Sequence, residues 1–123
     1  MRHNITDAEL EIMRVLWRDN RAMTLAELCM ELTQTKDWNK STIQTLVGRL
    51  RSKGIIEPLD KYGAAQYVPL LTEDEYILTE GKAVLERFGS AKTLALAMVR
   101  NGHLTDKDIE ELRDYFKMGG DRK

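Results

Sequence analysis

A chain of 123 residues, 42% hydrophobic and 32% charged, suits one globular domain, or a small domain with an appended oligomerisation segment, and excludes a disordered polymer. Its single cysteine, Cys29, excludes an intramolecular disulfide, and no apolar run approaches the ~20 residues of a membrane span. The net charge of −1 does not favour nucleic acid in bulk, but the charge is uneven: residues 36–61 hold six basic groups against three acidic, and residues 71–123 hold nine against eleven.

The first residues lack the apolar core of a signal peptide, so a cytoplasmic location without membrane insertion is expected. A first helix opens at Thr6 or Asp7, with Glu9 at capping-box spacing from Thr6. Ile12, Met13, Leu16 and Trp17 line one face of it, and Asp19 and Asn20 stop it. Thr24 and Glu27 cap a second helix in the same way, with Leu25, Leu28, Cys29 and Leu32 on one side. Asn39 caps a third, over residues 40–53, in which Ile43, Leu46, Val47 and Leu50 recur at helical spacing; Gly54 ends it. Residues 55–59 and 66–70 read as two short strands around a polar tip, residues 60–65. Pro58 and Pro69 argue for an edge ribbon and not a central sheet. Helices resume from Thr72 to about Phe88, after Ser90 and after Thr105, and the tail from Gly119 is expected to fray.

These elements predict a mainly α protein: a winged helix-turn-helix of three helices plus a hairpin wing over residues 1–71, then a helical dimerisation region over residues 72–123. The third helix carries the chemistry. Lys40, Ser41, Thr42, Gln44 and Thr45 are small donors and acceptors suited to base edges, while Arg49, Arg51 and Lys53 stand where phosphate is easier to reach. No acid interrupts residues 40–53, as expected of a face that meets phosphate. Lys61 and Tyr62 at the wing tip are further candidates for the DNA backbone. The expected dimer contacts are Tyr76, Leu85, Phe88, Leu94, Met98, Ile109, Leu112, Tyr115 and Phe116, apolar faces too extensive for one wing to cover.

Trp17 and Trp38 are expected as core anchors, Cys29 as a small buried apolar group, and the methionines, Met13, Met30 and Met98 among them, as core fillers. His3 and His103 are expected at the surface. No catalytic constellation, metal-ligand spacing or cofactor motif is visible. Two other readings fit the same residues. One is a winged helix that docks a protein through the polar face; the other is a regulator with a small-molecule pocket between the wing and the later helices.

The chain resembles the penicillinase repressor family (BlaI and MecI, with the copper-responsive CopY repressors). The resemblance rests on Ala8, Glu9, Ile12, Met13, Leu16 and Trp17 in the first helix, on Thr42, Thr45, Leu46, Arg49, Leu50, Lys53 and Gly54 in the third, and on Ile109, Glu110, Glu111 and Leu112 near the end. It implies a homodimeric repressor that binds a palindromic double-stranded operator, one half-site per winged helix. Three departures stand out. Asn39 and Lys40 occupy the place where the family usually has a proline before a lysine-threonine pair. The Cys-x-Cys pairs of copper-responsive members are absent. Ala97 and Met98 stand where penicillinase repressors carry the Asn-Phe bond cut when a membrane sensor protease system signals, so the resemblance leaves that route of inactivation open.

Overall fold

In the computed structural model, which describes residues 4–61 and 63–118, helix starts coincide with side chains able to cap them. Thr6 opens α1 (Asp7–Asp19) with a complete capping box: Thr6 Oγ1 accepts the Glu9 amide at 3.2 Å and Glu9 Oε1 accepts the Thr6 amide at 2.9 Å. Thr24 ends the two-residue strand β1 (Met23–Thr24) and caps α2 (Leu25–Lys36) through the same reciprocal bonds with Glu27. Thr24→Ala should therefore cost about 1 kcal/mol, read as a lower urea midpoint with unchanged slope, because the β1 pairing uses only its backbone. Asn39 Oδ1 takes the Thr42 amide at 2.8 Å to open α3 (Lys40–Ser52).

The end of α3 is equally well defined. Gly54 sits at φ +75°, its amide donates to Arg51 O, and the Ile55 amide donates to Leu50 O, both at 3.0 Å. This is the Schellman pattern, with buried Leu50 and Ile55 as its apolar pair. The chain then forms β2 (Ile56–Lys61) and β3 (Ala64–Pro69), followed by α4 (Glu73–Phe88), α5 (Ala91–Arg100) and α6 (Asp106–Lys117).

The hairpin differs from the sequence expectation in two ways. Asp60 pairs with Ala65 and Lys61 with Ala64, so the strands run on into the expected tip. In addition, β1 pairs with β3 through Met23–Tyr67 and Thr24–Gln66, giving an antiparallel sheet of order β1-β3-β2. β3 is thus central and not part of an edge ribbon; its Pro69 is tolerated because it is the last residue of the strand, while Pro58 lies on edge strand β2. His3, Tyr62 and the tail from Gly119 lie outside the described residues.

The chain divides into two compact units, residues 1–80 and 81–123. In the first, Ile12, Met13 and Leu16 of α1 meet Leu28 and Leu32 of α2 and the Ile43, Leu46, Val47 and Leu50 stripe of α3, with Ile55, Ile56 and Leu71 closing the core. Trp17, Trp38 and Cys29 pack on this core but are only half-buried. Trp17 Nε1 donates to Leu71 O at 3.1 Å, and its ring lies 5.7 Å from that of Tyr76. Met30 departs from its expected place as a core filler: it is 69% exposed, because it falls off the apolar stripe of α2. The second unit holds the end of α4, with α5 and α6 capped by Ser90 and Thr105. None of the residues in α4, α5 or α6 is fully buried.

Candidate nucleic-acid interface

The core stripe of α3 leaves the opposite side of the helix in solvent. Lys40, Ser41, Thr42, Gln44, Thr45, Gly48, Arg49, Arg51 and Ser52 are all exposed, while Ile43, Leu46, Val47 and Leu50 are buried. Helical periodicity thus brings the expected base-reading and phosphate-holding residues onto one element with one outward side.

The basic groups of this helix differ from those elsewhere in the unit. Arg14 pairs with Glu11 at 2.8 Å, Arg18 with Asp19 and Glu31 at 2.8 and 3.0 Å, Arg21 with Glu27 at 3.0 Å, and Lys36 with Glu11 at 3.5 Å. Among the described residues, no carboxylate engages Lys40, Arg49 or Arg51. These three cations are therefore free to meet an external anion, and a polyanion is a natural counter-charge. The first turn of α3 holds no acid, so none of its own side chains competes with an anion for the positive end of the helix dipole. Lys61 is the last residue of β2 in the wing, and its backbone pairs with Ala64 of β3.

Lys53 does not share this face. Its Nζ donates to Glu9 Oε1 and to Asn4 O, both at 2.7 Å, and its side chain is 28% exposed. The expected phosphate contact is turned inward because a buried carboxylate competes for the ammonium. Composition does not mark Glu9 as a partner, but its spacing does: it precedes Ile12, Met13 and Leu16 by three, four and seven residues, which puts an acid on the apolar stripe. Burial pushes the Glu9 carboxyl up, but the hydrogen bonds from Lys53 and Thr6 and the Lys53 charge outweigh it and hold the group below the usual carboxylate range.

The residues expected at a dimer interface separate into two groups. Tyr76 is half-buried, and its ring lies against that of Trp17 within the first unit. In the second unit Leu85, Leu94 and Ile109 are half-buried, while Phe88, Met98, Leu112, Tyr115 and Phe116 are 39–65% exposed. His103 is exposed, as expected. No helix among the described residues is long and apolar enough to cross a membrane.

Three helices closed by a hairpin, with a third helix whose Lys40, Arg49 and Arg51 have no ion-pair partner among the described residues, define a winged helix-turn-helix protein. The chain belongs to the penicillinase repressor family, whose profile matches residues 5–118. It is 33% identical over 121 residues to the penicillinase repressor of Bacillus licheniformis, covering 97% of this chain and 94% of that one. It is 31% identical over 114 residues to the methicillin resistance regulatory protein MecI of Staphylococcus aureus strain N315, covering 91% and 92%. The DNA-binding domain of the repressor BlaI superposes with a TM-score of 0.54 at 35% identity, over 63% of this chain and 95% of that domain. Monomeric Bacillus licheniformis BlaI, solved in complex with the blaP half-operator, gives a TM-score of 0.54 at 36% identity, over 60% and 89%.

Proposed function

We propose that this protein is a sequence-specific DNA-binding transcriptional repressor that acts as a homodimer on a palindromic operator. The observation that carries this is the outward face of α3, where three cations stand without a carboxylate partner beside a run of small hydrogen-bonding side chains. Kinship with a repressor solved on half an operator supports it. Lys40, Ser41, Thr42, Gln44 and Thr45 read base edges in the major groove, and the threonine methyls contact thymine methyls. Arg49 and Arg51, with Lys61 and Tyr62 of the wing, hold phosphates and set the register. Leu85, Phe88, Leu94, Met98, Ile109, Leu112, Tyr115 and Phe116 cover one another across the two-fold axis, and protein symmetry reads operator symmetry.

The test is fluorescence anisotropy with the duplex that the wild type selects from a random pool, set against a random duplex, over a series of salt concentrations. Thr45→Ala is expected to weaken the selected duplex by about 1–3 kcal/mol and the random one hardly at all. Arg51→Ala is expected to weaken both alike and to reduce the slope of log K against log salt by about 0.9. A wild type with no preference for any duplex refutes the reading. Sedimentation showing a monomer at micromolar concentration refutes the dimer. Proteolytic inactivation in the C-terminal helices would fall at Ala97–Met98, in the body of α5, so scission there requires α5 to unwind first.

A further inference from the structure

We propose that Lys53 and Glu9 form a positioning clamp that sets the angle at which α3 meets DNA, and that Lys53 makes no phosphate contact. The inference rests on the DNA-binding reading above.

Glu9 is the one fully buried charged residue among the described positions. Its Oε1 accepts from the Thr6 amide at the start of α1 and from Lys53 Nζ at the end of α3. The same ammonium also donates to Asn4 O. One carboxylate oxygen and one ammonium therefore tie together the beginning of α1, the chain entering it and the last turn of the recognition helix. Glu9 Oε2 is buried with no protein partner. A half-satisfied buried carboxylate is a poor choice for stability alone, since an apolar residue of similar volume often does as well or better. Ion pairing of this kind does impose one mutual orientation on the elements it joins, which van der Waals packing does less strictly.

That orientation matters because of where the clamp sits. Lys40 lies thirteen residues before Lys53, so the base-reading end of the helix is about 20 Å from the clamped end at 1.5 Å per residue. A tilt of about 5° at Lys53 moves the first turn by almost 2 Å, beyond what a base-edge hydrogen bond tolerates. Phosphate contacts by flexible arginine side chains survive such a tilt. Loss of the clamp should thus remove discrimination and spare electrostatic affinity, the opposite of losing a phosphate contact.

The experiment uses the full chain, the selected and random duplexes and the salt series described above, with folding of each variant checked by circular dichroism at the assay temperature. Lys53→Met keeps the aliphatic stem and removes the charge. It is expected to leave the salt slope at the wild-type value, to change affinity for the random duplex less than twofold, and to lower the selected-to-random ratio at least fivefold. Glu9→Gln, which keeps the shape at the other end of the clamp, is expected to do the same and gives the reading if Lys53→Met does not fold. Lys53→Arg, which keeps charge and donors, is expected to restore most of the ratio. A salt slope reduced by about 0.9 with both duplexes weakened alike, as for Arg51→Ala, would make Lys53 a phosphate contact and overturn the proposal. An unchanged ratio in Lys53→Met or Glu9→Gln overturns it as well. A wild type that prefers no duplex fails the underlying reading instead, and the clamp falls with it.

Discussion

Leu50→Ala is expected to remove about 2–5 kcal/mol of stability, the largest loss of any single truncation in α3. Leu50 is fully buried, and it holds two positions at once. It is the last member of the apolar stripe that seats α3 on α1 and α2, and it is the residue whose carbonyl accepts the Ile55 amide where the chain leaves the helix for the wing. Truncation opens a cavity next to Ile55 and strips the Schellman turn of its apolar pair. A domain of this size has about 5–15 kcal/mol in total, so the loss should appear as a large fall in urea midpoint with little change in slope. Leu112→Ala is the contrast. Leu112 is 49% exposed, so the same truncation should cost the folded monomer less than about 1 kcal/mol. Its effect should appear as a weaker dimer, read by sedimentation against protein concentration. If Leu112→Ala destabilises the chain as much as Leu50→Ala at all concentrations, the exposed faces of α4 to α6 serve some purpose other than dimerisation.

The two leucines also mark what sequence alone can reveal. The buried stripe of α3 is legible because helix periodicity, the Asn39 cap and Gly54 all point to one helix that starts at Lys40 and stops just before Gly54; the structure ends it at Ser52, one residue short of the expected Lys53. Features that depend on distant pairing were not. β1 is two residues long, too short for alternation to show, and exists only because Met23 and Thr24 meet Tyr67 and Gln66 across the sheet. The wing strands run past their apolar residues into Asp60, Lys61, Ala64 and Ala65, a segment whose composition reads as loop, and Gly63 at φ +76° adopts a backbone that glycine favours. The spacing of Tyr76 on α4 says nothing of Trp17, fifty-nine residues earlier, whose ring lies against it. The spacing of Lys53 from Arg49 and Arg51 suggests a phosphate contact and says nothing about the carboxylate forty-four residues away that its ammonium meets. For Tyr76 and Lys53, local spacing specifies the element, and a contact from far along the chain determines what the residue packs against.

Acid should unfold this protein partly through that same carboxylate. Glu9 has its pKa lowered in the folded chain from an ordinary value of 4.5, so in the window below about 4.5 the unfolded state binds the proton more readily. Its contribution is fully present at neutral pH and is lost progressively as pH falls through the folded value. At pH 7, Glu9→Ala should cost about 3 kcal/mol, since it leaves the Lys53 ammonium without its carboxylate and removes one arm of the α1 capping box. The part due to charge is isolated by Glu9→Gln, which preserves volume. The stability gap between wild type and Glu9→Gln, measured by urea titration at pH 7, 5, 4 and 3, should be widest at pH 7 and narrow below pH 4.5 as the wild-type carboxyl takes up its proton. A gap that stays constant down to pH 3 would mean that the charge on Glu9 contributes nothing, and that its value lies in shape and the Thr6 cap alone. A gap that widens on acidification would require a raised pKa, the reverse of what Lys53 and Thr6 impose on a carboxylate held between them.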